Sequence, residues 1–494
     1  MSCKHLMTPI LAGTLCALSS PANAGDRDDD HRDHRNCHDR HHRHPVDPDM
    51  VRARQRFFGV ENVDARGNLD EDKVFISWAS NTTYVVSAAG HVLLMDSYIN
   101  RPELPTTPID RRRTPILPQD FIDVRPEAIF LGHGHGDHAD NAAYVSKWTD
   151  ATIYASAETC DVMQQDVARM WADPNLHNGG AKMIPDGNPA DCVAVVPRNS
   201  PPGEYTGTLE NPTGGTTTVR RIRQFDPGIC IVTFKHVHSG TAPVDPSFTH
   251  AEFFNLGDPR YSGRVITTPT PAVTYPAMYP AGTPFTPPTN PANRVSGQLD
   301  TTTTGFGGTA GPIEMFYHFV VRGPGHDLVF SFVNSAGPVK EGIGGPSPGL
   351  ISLATYSSTN PADAPAKALA AEIGKGLFSV MDRLPHPDVL LGSIVSLGAA
   401  NNQQRDIIMY SQHLKPKVYY PGHLTDVAQA GSAIYHKISW QQTAVNMGWP
   451  QSEWPEFRLQ IDPNDFMVPQ VFNTKDARWD KSRQQEDVIR SMCR

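Results

Sequence analysis

Apolar residues in this chain come in short runs, and several runs end on residues that carry chemistry. HVLLMD (91–96) ends on Asp96, and EAIFLG (127–132) opens onto a group of histidines. ICIVTFKHVHS (229–239) ends on His236 and His238, and KVYYPGH (417–423) ends on His423. Short apolar runs bounded by turn-forming residues read as buried strands. Residues 72–96 read as two strands leading into Asp96, and the Pro- and Arg-rich residues 97–126 as a long loop. NAAYVSKWT (141–149) predicts the start of a helix, ATIYAS (151–156) a strand, and residues from about 157 to 171 a further helix. Strand, loop, helix and strand in that order form a βαβ unit. Residues 313–322 and 328–335 read as a hairpin around GPGHD, and 363–383 as an apolar-periodic helix. Residues 388–397 read as a strand and 402–414 as a helix. Prolines crowd residues 257–312; they remove donors and fix φ, which excludes a helix or a central strand there. That stretch is expected to cover a cleft or wrap the sheet. The last part of the chain, with Trp440, Trp449, Trp454 and Trp479, reads as helical and irregular pieces packed over one domain.

Residues 131–140 read LGHGHGDHAD, placing His133, His135, Asp137 and His138 within six positions. Gly134 and Gly136 allow sharp bends that let neighbouring side chains converge. His133 and His135 are two apart and can point the same way in an extended stretch. Asp137 and His138 follow and can face a second ion. Neutral imidazole suits zinc and iron, and a carboxylate adds a hard oxygen ligand. A solvated His-rich turn is the alternative reading; the strand that precedes the cluster argues against it.

This H-x-H-x-D-H pattern resembles the signature of the metallo-β-lactamase fold hydrolases, and the resemblance extends in order from about residue 72 to 425. Asp96, at the end of HVLLMD, looks like the family's early acid, which supports the ligand histidines from behind. ICIVTFKHVHS looks like the third motif, HDLVFSFVNSAG (326–337) like the strand and turn that carry the metal-bridging carboxylate, and KVYYPGH like the late strand whose histidine completes the second site. The resemblance implies an α+β fold: an αββα sandwich with long insertions and the metals at one edge. It implies that His133, His135 and His238 hold one ion, and that Asp137, His138 and His423 hold a second. His238 is the favoured third-motif ligand; His236, of the same parity, would orient a ligand or sit in the core. Asn334 stands where the family usually has Asp. A carboxamide is neutral and binds cations weakly, so one tight and one loose ion is one expectation and another bridging group is the other. Asp327 is the nearest acid, but it lies at the far end of the same strand, too distant at ~3.3 Å per residue.

The chain has 494 residues, 39% of them hydrophobic, and a formal net charge of −9. The balance gives no sign of a nucleic-acid partner. Lys4, the apolar residues 6–18 and the A-x-A site at Ala22–Ala24 read as a signal peptide cleaved after about Ala24. The apolar stretch is too short to span a membrane, so the expected location is periplasmic or secreted, without stable membrane insertion. Residues 25–45 form a His/Asp/Arg-rich leader that cannot build a core; it holds six of the 21 histidines and is either a solvated tail or a weak gatherer of metal. The remainder, 46–494, reads as one hydrolase domain with the Pro/Thr/Gly-rich insertion. Beyond the signal stand Cys37, Cys160, Cys192, Cys230 and Cys493. Cys160 and Cys192 can pair in an oxidising compartment, and the odd count leaves one thiol over.

The function these features imply is an exported hydrolase that uses a metal-activated water on a small-molecule substrate. Zn²⁺, as one or two ions, is the expected cofactor, with Mn²⁺ or Fe as alternatives. Asp137 would also hand a proton to the leaving group. A lactone or ester ranks first, a phosphodiester second and a β-lactam low. The competing reading is a non-catalytic or degenerate extracytoplasmic metal-binding protein, favoured by Asn334 and the leader. The sequence leaves the oligomeric state open.

Overall fold

The first helix, α1 (Pro48–Phe58), shows how local sequence starts and stops an element. The Asp47 side chain caps it by accepting from the Asp49 and Met50 amides, and Pro48 fits the first turn. Gly59, at φ 87°, ends it in a conformation that side chains rarely adopt. Phe57 and Phe58 are buried beneath it. This computed structural model describes residues 46–99, 116–172, 184–196, 219–237, 313–324, 326–337, 377–393, 403–423, 433–459, 467–476 and 493. The expected signal segment and leader, His238 and the 257–312 insertion lie outside the described residues.

Two seven-stranded sheets follow. The strands are β1 (Lys73–Ser80), β2 (Thr83–Ala88), β3 (His91–Met95), β4 (Ala128–Phe130), β5 (Thr152–Ser156), β6 (Cys192–Val196), β7 (Arg220–Ile222), β8 (Ile229–Val237), β9 (Ile313–Val321), β10 (Leu328–Phe332), β11 (Val389–Ser393), β12 (Val418–Gly422), β13 (Glu456–Phe457) and β14 (Gln470–Asn473). One sheet has the order β14-β1-β2-β3-β4-β5-β6, the other β13-β12-β11-β10-β9-β8-β7. Strands β3 to β6 run parallel, as do β10 to β13.

Period-2 alternation sorts the strand side chains into layers. On β1, Val74, Ile76 and Trp78 enter the core between the sheets, while Phe75 and Ala79 face the helices. On β9, Met315, Tyr317 and Phe319 face the opposite sheet, and Phe316 and Val320 face outward. Phe130 meets Tyr317 and Phe319 edge-on, at 5.3 and 5.0 Å between centroids. Each large side chain buried this way contributes about 1.5–3 kcal/mol. Outside the first sheet lie α1, α2 (Pro118–Val124), α4 (Ala142–Thr149) and α5 (Ala157–Ala172). Outside the second lie the helical residues 377–383, α6 (Gln403–Leu414) and α7 (Ala433–Asn446). A four-residue helix, α3 (Gly136–Ala139), carries the end of the histidine-rich loop. The architecture is the expected αββα sandwich.

Several expectations need correction. Residues 72–96 form three strands, not two. Asn81 (φ 49°) turns the chain between β1 and β2, while Ala89 and Gly90 (φ 48° and 80°) make a two-residue hairpin turn before β3. The loop expected over 97–126 contains α2, which Pro118 opens and Phe121 and Ile122 anchor. The last part of the chain does more than pack over the domain: β14 pairs antiparallel with β1, and β13 extends β12, so it supplies an edge strand to each sheet. Cys160 and Cys192 are joined, as the sequence allowed; a second disulfide, Cys230–Cys493, ties β8 to the C-terminus. The expected helix at 363–383 is helical where described, over 377–383.

Candidate metal centre

The cluster forms where strands end. Asp96 follows β3, His133 follows β4 by three residues, Asn334 follows β10 by two, and His423 follows β12 directly. Functional groups gather at the C-terminal ends of the parallel strands because rigid ladders hold both flanks of each loop. Asp96 and His423 both adopt the left-handed backbone region, at φ 50° and 64°. For a residue other than glycine, that conformation costs energy and persists only where its surroundings enforce it.

The ligand atoms converge. His133 Nε2 lies 2.9 Å from His135 Nδ1. His138 Nε2 lies 3.1 Å from His423 Nε2 and 3.6 Å from Asp137 Oδ2, which is itself 3.2 Å from His423 Nε2. One ligand atom each from His133, Asp137 and His138 falls within 4.8 Å of the others. His133 and His138 are buried, whereas Asp137 is 33% exposed and His423 17%. The cluster is thus sealed behind and open in front.

Burial, with the neighbouring His138, holds the His133 imidazole well below the ordinary histidine range. Burial likewise pushes His138 down to about 3. Both rings are neutral at pH 7, the state in which imidazole binds metal. Burial works against ionisation of Asp137, yet His138 and His423 hold its carboxyl well below the usual range. His423 is raised despite burial, because it bonds to Asp137. Close-set imidazole nitrogens beside a carboxylate are the donor set that zinc, iron or manganese accepts. The residues present fit a metal.

Behind the ligands lies a hydrogen-bonded support. Asp96 Oδ2 is 2.8 Å from His138 Nδ1 and accepts from Thr82 Oγ1 at 2.6 Å; Oδ1 accepts from the Gly132 amide at 2.9 Å. Burial raises the Asp96 carboxyl to about 7 against these bonds. Asn81 Nδ2 donates to the Asp137 carbonyl at 2.7 Å. Asn334 donates Nδ2 to Asp96 at 2.9 Å and places Oδ1 3.2 Å from His133 Nδ1. Its amide therefore touches the Nδ1 side of His133 and His138, while their Nε2 atoms face the other ligands. Asn334, expected at the bridging position, contacts Asp96 and the Nδ1 side of His133 and His138 in this structure. A Cβ on Gly132 would fall 2.0 Å from Asn334 Nδ2, so only glycine admits the amide there.

His236 is fully buried, with Nδ1 3.3 Å from the Tyr410 hydroxyl and Nε2 3.6 Å from Glu314. Asp327, set aside from the sequence, pairs with Arg322 at 2.6 Å. Sequence reasoning missed Thr82, Asn81, Tyr410 and Glu314. The available signal was polarity out of place: Glu314 interrupts an apolar strand, and acids are almost never fully buried unless paired.

No protein-family model matches the chain. A UPF0173 metal-dependent hydrolase from Pyrobaculum aerophilum is 31% identical over 113 residues, which is 23% of this chain and 45% of that protein. A second, from Pyrobaculum arsenaticum, is 27% identical over 141 residues, 27% of this chain and 57% of that protein. The chain spans about half the length of the curated relatives it matches. Among solved structures, the metallo hydrolase Igni18 from Ignicoccus hospitalis aligns with 82% of this chain and 100% of its own, at 12% identity and a TM-score of 0.36. A possible metal-dependent hydrolase from Veillonella parvula aligns with 81% and 98%, at 10% identity and a TM-score of 0.33. The chain is thus similar, over about a quarter of its length, to UPF0173 metal-dependent hydrolases, and its own strand ends gather His133, Asp137 and His138 in a cluster able to hold a metal ion.

Proposed function

We propose that this chain is an exported, zinc-dependent hydrolase acting on a lactone or ester, with phosphodiesters as the second substrate class. One observation carries the reading: His133, His135, Asp137, His138 and His423 converge their donor atoms at one partly open edge of the sandwich. His133 and His135, with His238, would hold one ion; Asp137, His138 and His423 would hold the other. A metal held by these residues would supply an activated water and would polarise the oxygen of the scissile group. Asp137 is ionised and faces solvent in part, so it would accept a proton from the attacking water and pass it on to the leaving group. Asp96 and Thr82 keep His138 oriented through that cycle. The A-x-A site near Ala24 and two disulfides support export, since disulfides persist in oxidising compartments.

The neutral Asn334 favours a second reading, a non-catalytic metal-binding protein. Elemental analysis of the full chain against His133→Ala and His423→Ala separates the site from the His-rich leader, whose contribution is common to all three. Loss of about one ion in each variant supports paired sites. Turnover of a lactone or ester series should then fall about 100-fold or more in Asp137→Ala, within the range of general acid–base effects. Metal binding without turnover of any ester, lactone or phosphodiester would favour the second reading.

A further inference from the structure

We propose that Glu314 is a positioning residue for the first ion site, holding His133 in the ring form that presents Nε2 to metal. The inference rests on the metal-centre reading above. Glu314 Oε1 lies 2.7 Å from His133 Nδ1, and both side chains are essentially inaccessible to solvent. The carboxylate stands there as a negative charge that favours a proton on Nδ1, whose hydrogen bond in this structure runs to Asn334 Oδ1 at 3.2 Å. An imidazole that donates from Nδ1 carries its lone pair on Nε2, and Nε2 is the atom that faces His135. The adjacent charge favours that tautomer and makes the ring a stronger donor to a cation.

Two backbone features aim Glu314. It stands opposite His236 on the β8–β9 ladder, and its second oxygen lies 3.6 Å from His236 Nε2. The next residue, Met315, donates its amide to the Gly132 carbonyl at 2.7 Å, binding β9 to the metal loop immediately before His133. The carboxylate is therefore held against His133 by the strand, not by a flexible contact.

The other side of the cluster has a related pair, there joined by a hydrogen bond from His138 Nδ1 to Asp96. Asp96 stands behind His138 at 2.8 Å; Glu314 stands behind His133 at 2.7 Å. Each buried histidine of the cluster thus has its own buried carboxylate. Asn334 also reaches His133 Nδ1, at 3.2 Å, but an amide oxygen is a weaker acceptor than a carboxylate. Glu314 brings to the first site negative charge that Asn334 lacks. A carboxylate this deeply buried is costly unless a donor and a nearby cation compensate it.

The test is zinc affinity of the full chain, by competition with a chromophoric chelator, counting only the ion that His133→Ala abolishes. The visible spectrum of the cobalt(II)-substituted protein is the second readout. Glu314→Gln keeps the shape but not the charge; it should weaken that ion about 10–100-fold and shift the cobalt bands. Glu314→Asp should recover part of the affinity. A folded Glu314→Gln protein with unchanged affinity and cobalt spectrum overturns the proposal while leaving the metal centre intact. Wild-type protein in which His133→Ala abolishes no ion overturns the metal-centre reading itself, and this proposal with it. Should Glu314→Gln fail to fold, ¹⁵N NMR of wild-type His133 decides: a proton on Nδ1 supports the role, and a proton on Nε2 alone refutes it.

Discussion

Gly132 is the tightest position around the cluster. Its amide donates to Asp96, its carbonyl accepts from Met315, and its missing side chain admits the Asn334 amide. Gly132→Ala should force Asn334 off Asp96, leaving buried polar groups poorly paired. The expected cost is about 1–3 kcal/mol, as for other overpacked sites, read as a lower denaturant midpoint at unchanged slope. In an Asn334→Ala background the same change should cost clearly less. Additive losses in that double-mutant cycle would show that the clash is not the cause. At this scale the sequence exposes some roles and hides others. His133, His135, Asp137 and His138 announce themselves by spacing. Thr82 and Asn81 do not, because a polar pair between two strands is what any hairpin turn contains.

Between elements, the parallel step from β3 to β4 is locked at its entrance by His91 and Glu127. His91 Nδ1 lies 2.8 Å from Glu127 Oε2, and the two side chains are 37% and 43% exposed. The hydrogen bond to Glu127 raises the His91 pKa above 6.5. A group raised on folding stabilises fully below its unfolded value and loses that contribution as pH climbs through its folded value. Stability should therefore decline slightly from pH 6.5 upward, by about 0.5 kcal/mol or less given solvent screening. His91→Gln should remove this part of the pH dependence in thermal melts, and an unchanged profile would dismiss the pair. Strand existence was readable from apolar runs, but strand partnership was not. Nothing in QVFN (470–473) names β1 as its neighbour; the pairing of Phe472 with Val74 is fixed by the shared inter-sheet core.

For the whole molecule, the centre joins the two sheets. Asp96, His133 and His138 come from the first sheet's side; Asn334, Glu314 and His423 come from the second. An ion held across that junction binds the folded state and not the unfolded chain. Chelation should therefore lower the melting temperature of the wild type, by the equivalent of about 2.7 kcal/mol when free metal stands at 100 times its Kd. His133→Ala should start lower and respond less to chelator. Equal responses of the two proteins would mean that the stabilising ion sits elsewhere. Among the described residues, no helix is long and apolar enough to cross a membrane.

The sequence by itself determined many of the elements and the donor types of the histidine-rich loop. Alternating and continuous apolar runs fix which residues become strands, because a strand exposes two faces with period 2. Clustered histidines ending such a run point to a metal site, because little else rewards three imidazoles and an acid on one turn. It also allowed Cys160 to meet Cys192. The tertiary structure alone decided what Asn334 and Glu314 touch. Motif order put Asn334 at a ligand position, yet its amide turns to Asp96 and the Nδ1 side of His133. Glu314 reads in sequence only as an acid in an apolar strand, which says that it must be compensated but not by whom. The β8–β9 register and the Met315 amide bring it to His133, and such long-range pairing depends on how the sheets pack rather than on any local pattern.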